Sequence, residues 1–208
     1  MLTRRKQSIP TLMTAARVAL GPIVILGQAC RWSGITLAAL IVAALLSDIF
    51  DGILARLWHC DTPAVRLFDT VADTVFYLCV AVALWLRAPR LCHQQLPLFG
   101  TLMAFEGSLF IFAIAKFGKP ASYHSYLAKT WGLLLATAVV AEFATTHAAP
   151  LITAALILGI LCNIEGFAIS CLLPDWVNDV KTLAAALRLR TRILAHQYPR
   201  TSSHFTTR

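Results

Sequence analysis

Two apolar runs, Ile35–Leu46 and Thr74–Leu86, are 12 and 13 residues long, and neither can cross a bilayer, which takes about 20 residues of helix. Between them lies Asp48 to Asp73, where five of the ten acidic residues of the chain are concentrated: Asp48, Asp51, Asp61, Asp69 and Asp73. Each run can become a membrane span only by borrowing turns from that acidic stretch. The second helix must therefore continue from Ile35 through Asp48 and Asp51 towards Arg56, and the third must begin ahead of Asp69 and Asp73. Asp61-Thr62-Pro63 supplies its start: a capping side chain, then a proline in the first turn, where a missing N–H is harmless. An ionised carboxylate beside hydrocarbon-like sequence is expensive and persists mainly where it binds an ion or does chemistry. These carboxylates are expected to line a wet cavity between two antiparallel helices.

The rest of the chain supports a membrane reading. Of its 208 residues 58% are hydrophobic and 13% charged, against about 25% charged in a water-soluble domain. The expected fold is all-α, a polytopic membrane protein of six spans over residues 1–175, followed by a cytoplasmic helix and tail over 176–208. A basic leader (Arg4, Arg5, Lys6) precedes a first span over Ile9–Ala29, in which Pro22 is expected to introduce a kink. The fourth span is expected over Leu96–Lys116 with Glu106 inside it, the fifth over Tyr126–Thr145, and the sixth over Pro150–Leu173 with Glu165 inside it. Residues 175–196 read as one amphipathic helix with Val177, Val180, Leu183/Ala184 and Leu187 on a face, and with Arg188, Arg190 and Arg192 suited to a headgroup surface.

Six spans put both ends on one side of the membrane. Fourteen of the 18 Lys and Arg residues then fall on that side and three (Arg31, Arg87, Arg90) on the other, which places the ends and the acidic stretch in the cytoplasm. A bacterial inner membrane fits. The net charge of +8 flanks hydrophobic runs, so it suits anionic lipids and phosphate-bearing substrates and argues against nucleic acid. The six cysteines are scattered without a CxxC pair and read as small buried hydrophobes.

Asp48 and Asp51 are three residues apart, Asp69 and Asp73 four, so each pair shares a helical face. Four carboxylates on two helices can cage hard cations. With no His or Cys at ligand spacing, Mg²⁺ or Mn²⁺ is favoured over Zn²⁺, and two ions could clamp a transferring phosphoryl group. A carboxylate left free of metal could take a proton from an attacking hydroxyl. Neither an EF-hand loop nor a P-loop occurs. Arg17 is expected to pair with an aspartate or a phosphate. Lys116, Lys119 and Lys129, in and beside the fourth-to-fifth connection, could meet an anionic acceptor.

These residues resemble a family. Asp48-x2-Asp51-Gly52-x2-Ala55-Arg56, then Asp69-x3-Asp73, is similar to the CDP-alcohol phosphotransferase motif D-x2-D-G-x2-A-R-x8-G-x3-D-x3-D, with seven of eight fixed residues in place. The departure is Val65, where the family has its second glycine. Ile9-Pro10-Thr11-Leu12-x-Thr14-x2-Arg17 is similar to the opening of many members. The resemblance implies transfer of a phosphoalcohol group from a CDP-alcohol, usually CDP-diacylglycerol, to an acceptor hydroxyl, with release of CMP. It implies that Asp48, Asp51 and Asp69 hold the metals, that Asp73 is general base and possible ligand, and that Gly52, Ala55 and Arg56 hold the nucleotide, next to Val65. It also implies a homodimer. Thr70 and Thr74 depart from the DPxADK-like form of the phosphatidylglycerolphosphate synthases, so the acceptor is left open among small polar or phosphorylated alcohols. Two readings compete: an ion-coupled transporter or metal-binding membrane protein using the same carboxylates, and a degenerate member acting as a structural partner. Gly52-x2-Ala55-Arg56 argues against the first, and retention of all four aspartates against the second.

Overall fold

The computed structural model describes the backbone of residues 2–57, 63–121, 123, 125–177 and 179–197, and the side chains of 14–50, 53, 57, 71–121, 123, 125–177 and 179–194. The described residues are all-helical, with no strand: α1 Leu2–Ala29, α2 Gly34–Leu57, α3 Pro63–Arg87, α4 Pro89–Phe117, α5 Tyr126–Thr145, α6 Ala149–Leu172 and α7 Leu183–Gln197. Among them α4, α5 and α6 are long and apolar enough to cross a membrane. In α1 and α2 the apolar stretches are shorter, Thr14–Ala29 and Gly34–Phe50. The helix extents expected for α2 and α3 are observed: α2 runs through the first aspartate pair to Leu57, and α3 starts on Pro63.

Three boundaries differ from expectation. The basic leader is helical from Leu2, and α1 passes through Gly21-Pro22 without a break. α4 begins at Pro89 rather than Leu96, because Pro89 serves as a first-turn residue and the helix accepts Pro97 internally; there the Thr101 hydroxyl donates to the Pro97 carbonyl at 2.8 Å. The amphipathic helix expected over 175–196 starts only at Leu183. Asp179 takes a left-handed φ of 57°, Lys181 gives its carbonyl to the Tyr126 N–H at 3.2 Å, and Thr182 caps α7 through the Ala185 N–H at 3.1 Å. Val180 is buried with Ile169, Leu173 and Ala186, whereas Leu183 and Leu187 are exposed. The expected apolar face is thus split between a tethered non-helical segment and the outer surface of α7.

The chain forms two compact units: residues 1–95 with 136–152, and 96–135 with 153–208. In the first unit α1 packs against α2 and α3. Its core is Val24, Leu37, Ala38, Ile41, Ala44, Phe76, Val80, Ala83 and Phe143. Large apolar side chains such as Leu26, Ile35 and Leu78 point outward, all more than 60% exposed. Close van der Waals fit between small residues lets such helices approach. Gly21 illustrates this: a Cβ there would lie 3.0 Å from the Cys79 side chain of α3.

The turns of this unit are closed by local backbone and side-chain hydrogen bonds. Arg31, at φ 58°, ends α1 in a Schellman motif: Trp32 N–H donates to Gly27 O at 2.9 Å and Arg31 N–H to Gln28 O at 3.1 Å. Ser33 then caps α2 through the Thr36 N–H at 3.1 Å. Glu142, 3% exposed, reaches from α5 past its own C-terminus to accept the Ala148 N–H at 2.9 Å, and so caps the start of α6. A clamp gathers this end. The Arg87 guanidinium donates to Phe143 O at 2.8 Å and to Gln28 Oε1 at 3.4 Å, and lies 5.6 Å over the Phe143 ring. Gly34 makes room for it, since a Cβ there would collide with Phe143 O and the Arg87 guanidinium.

In the second unit Lys116 ends α4 by donating to the carbonyls of Ser170 and Cys171 at 2.7 and 3.2 Å, two of the acceptors left open at the end of α6. The Tyr123 hydroxyl shares a 3.0 Å hydrogen bond with Ser170 Oγ, and Trp176 Nε1–H donates to Pro120 O at 3.0 Å. Burial pushes the Tyr123 phenol above its ordinary pKa, opposed by the bond to Ser170, so it stays neutral near pH 7. Gly159 admits Trp131: a Cβ there would lie 2.7 Å from the indole Nε1.

The clamp yields a prediction. Gly34→Ala forces a methyl into the Arg87–Phe143 contact and is expected to cost about 1–3 kcal/mol, read as a lower melting temperature in detergent. Gly132→Ala, where a Cβ has open space, is expected to leave the melting temperature unchanged or raise it.

Candidate active site

The acidic pairs stand where helical register puts them. On α2, Asp48 and Asp51 lie one turn apart, and on α3 so do Asp69 and Asp73, each pair about 4.5–6 Å apart along its axis. The side chains of Asp51, Gly52, Ala55, Arg56, Val65 and Asp69 lie outside the described residues, as do Asp61 and His124 altogether. Asp48 and Asp73 are described, and the structure brings them together.

They meet at Arg17. This α1 residue is 1% exposed, and its Nη1 lies 2.8 Å from Asp48 Oδ1 while also pairing with Asp73 Oδ1. One nitrogen therefore contacts one oxygen from each of two helices. Arg17 had been expected to take one acidic partner, and it takes two. The Asp48 and Asp73 side chains keep 31% and 25% of their exposure, so each carboxylate retains an open side. A guanidinium this buried needs such partners, because stranding one charge of a buried pair costs about 3–5 kcal/mol.

The same geometry tests the expected metal. Two carboxylate oxygens from different helices already converge on one cationic atom, which stands in for an ion. They are hard donors of the kind that Mg²⁺ and Mn²⁺ prefer. Asp48 and Asp73 are therefore donors that could hold such an ion, with Asp51 and Asp69 nearby in sequence. Among the described residues alone, no group of three His, Cys, Asp or Glu side chains forms a metal cluster.

The three lysines considered for an acceptor lie elsewhere in the sequence and serve visible local contacts. Lys116 closes the end of α6, as above, and also lies 5.1 Å over the Phe117 ring. Lys119 lies 4.9 Å over Trp176 and Lys129 5.8 Å over Tyr126. Glu106 is exposed. Glu165 has one carboxylate oxygen, Oε2, buried without a hydrogen-bond partner among the described residues. The sequence reading passed over Glu142, whose signal was an acid one turn before the polar Thr145-Thr146-His147 corner, a position from which a side chain can cap the next helix.

Residues 7–173 match the family described as CDP-alcohol phosphatidyltransferase. Over 83 residues the chain is 43% identical to the CDP-diacylglycerol–glycerol-3-phosphate 3-phosphatidyltransferase of Pectobacterium atrosepticum, covering 39% of this chain and 44% of that one. Over 79 residues it is 38% identical to the protein of the same name from Escherichia coli strain K12, covering 37% and 42%. The chain thus aligns with less than half the length of each of these relatives. No solved structure matches it.

Lys116→Met should leave the Ser170 and Cys171 carbonyls without their charged donor. The expected loss is about 1.5–3 kcal/mol of stability, visible as a lower melting temperature in detergent.

Proposed function

The chain belongs to the CDP-alcohol phosphatidyltransferase family, and on that premise we propose that it is a membrane-embedded transferase. It moves the phosphatidyl group of a CDP-activated lipid, CDP-diacylglycerol first among candidates, to the hydroxyl of a small polar or phosphorylated alcohol, releasing CMP. The observation that carries this reading is the convergence of Asp48 and Asp73 on one cationic position, on the two helices that bear the D-x2-D-G-x2-A-R and D-x3-D segments. The transporter reading has no comparable support, since ion coupling has no use for the small-residue platform Gly52-x2-Ala55-Arg56.

In this reading Asp48, Asp51 and Asp69 hold Mg²⁺ or Mn²⁺, two ions in all, with Asp73 adjoining. The ions supply charge neutralisation at the pyrophosphate and at the departing CMP. Asp73 takes the proton of the acceptor hydroxyl as its oxygen bonds to the lipid-side phosphorus and the bond from that phosphorus to CMP breaks. Arg56 pairs with phosphate oxygens in a bidentate fork, and Gly52 and Ala55 keep the α2 surface low beside the nucleotide. Val65 stands where the family motif has glycine and narrows that approach. Lys119 and Lys129, with Lys116, are the cations proposed for an anionic acceptor.

Six spans, with α1–α3 crossing as well as α4–α6, place both ends and the aspartates on the cytoplasmic face of a bacterial inner membrane. We take residues 1–175 as the catalytic domain and 176–208 as its cytoplasmic appendage, in a homodimer. The glycerol-3-phosphate transferases among its relatives make glycerol 3-phosphate the first acceptor to try. Thr70 and Thr74 are the reason to try others beside it.

The test is CMP release by protein purified in detergent with CDP-diacylglycerol, across glycerol 3-phosphate, serine, inositol phosphate and related alcohols. Release is expected with one acceptor class, abolished by EDTA and restored by Mg²⁺ or Mn²⁺; no release with any acceptor would overturn the reading. Asp73→Asn is expected to slow release by about 10²–10⁴-fold, and unaltered release would remove Asp73 as the base. Val65→Gly is expected to lower KM for the donor with little change in kcat. An unchanged KM would place the nucleotide away from this part of α3.

A further inference from the structure

We propose that Arg17 is a resident counter-ion, whose guanidinium occupies the cation position of the carboxylate site when metal is absent and yields it when metal enters. The proposal rests on the metal-site reading above and adds an element that the family motif of aspartates does not contain.

Four aspartates on two neighbouring helices bring four negative charges to one end of α2 and α3, beside apolar sequence in which like charges repel strongly. Without metal, such a site would push its own helices apart. Arg17 answers this from the third helix of the unit. It is among the largest fully buried side chains of the described residues, and α1 packs on both α2 and α3. Its Nη1 bridges Asp48 Oδ1 and Asp73 Oδ1, so a single positive charge ties the two halves of the site.

Position then decides the role. The same guanidinium nitrogen, Nη1, contacts Oδ1 of both carboxylates. A divalent ion bound by those same oxygens would need them at about 2.0–2.1 Å, inside the space that this nitrogen fills. Two cations cannot share it. An ion entering through these two oxygens would require Arg17 to leave at least one of them, and loss of the ion would let it return. The protein keeps a neutralised site in both states, and the apparent metal affinity is lowered by the guanidinium it must displace.

The test reads metal binding and stability without turnover. Mn²⁺ is titrated into detergent-purified protein and followed by electron paramagnetic resonance, alongside melting temperature with and without Mn²⁺, for wild type, Arg17→Met and Arg17→Lys. Arg17→Met is expected to melt lower without metal, to bind Mn²⁺ about tenfold or more tightly, and to show a larger Mn²⁺-induced rise in melting temperature. Arg17→Lys, which restores a displaceable cation, is expected to return affinity towards wild type. Equal affinities and equal metal-induced shifts in wild type and Arg17→Met would overturn the proposal while leaving the metal site standing. Absence of Mn²⁺ binding in every variant would instead overturn the metal site itself, and this inference with it. Should Arg17→Met fail to fold, the double variant Asp48→Asn with Asp73→Asn decides the matter. Its metal-free melting temperature is expected to fall, because Arg17 loses its charged contacts to Asp48 and Asp73. A rise, from relieved carboxylate repulsion, would overturn the counter-ion role.

Discussion

A single guanidinium nitrogen between two carboxylates, each on a different helix, is the interaction on which the first unit depends. Arg17 reaches Asp48 of α2 and Asp73 of α3 from α1, and nothing else described at that end carries a compensating charge of its size and burial. Wherever such helices lie in lipid, they have no water-driven reason to associate. Their partnership must come from close fit and from polar groups that have nowhere else to go. The fit is visible in Gly21 against Cys79 and in the small residues Ala38, Ala44 and Ala83 of the core. The polar demand is met by Arg17 at one end and by the Arg87 clamp at the other.

The helices were largely legible because hydropathy and caps are local. The shortness of the Ile35–Leu46 run alone required α2 to extend through its aspartates, and Pro63 marked where α3 starts. The ends of α5 and α6 followed from the same reasoning to within a residue. What the sequence could not display was pairing across 31 and 56 positions, which is how far Arg17 lies from Asp48 and Asp73. Register told which face each aspartate shares, but not which cation the faces would meet. α7 was misjudged for a related reason. The periodicity through Val177 and Val180 suits a helix, yet the Lys181 carbonyl is claimed by Tyr126 from a distant connection, and Thr182 offers a cap only after that.

Lys116 shows how a chemical reading and a structural one can fall on the same residue. Its charge at the end of α4 suggested an anionic ligand, and its nitrogen sits on the terminal carbonyls of α6. The C-terminal end of a helix is a site of partial negative charge, so a lysine placed there has met an anion of a kind, supplied by the fold.

The Arg87–Phe143–Gly34 contact has a mechanical side as well. α2 leaves that contact at Gly34 and carries Asp48 some fourteen residues further on, a lever arm of about 21 Å at 1.5 Å per residue. Rotation of the helix by one degree about its pinned end displaces the carboxylate by about 0.4 Å, a large fraction of the tolerance within which a metal ligand or a base must be held. Mass added at Gly34 would thus register at the far end as misalignment, and the first residue of α2 sets the aim of its distant charges.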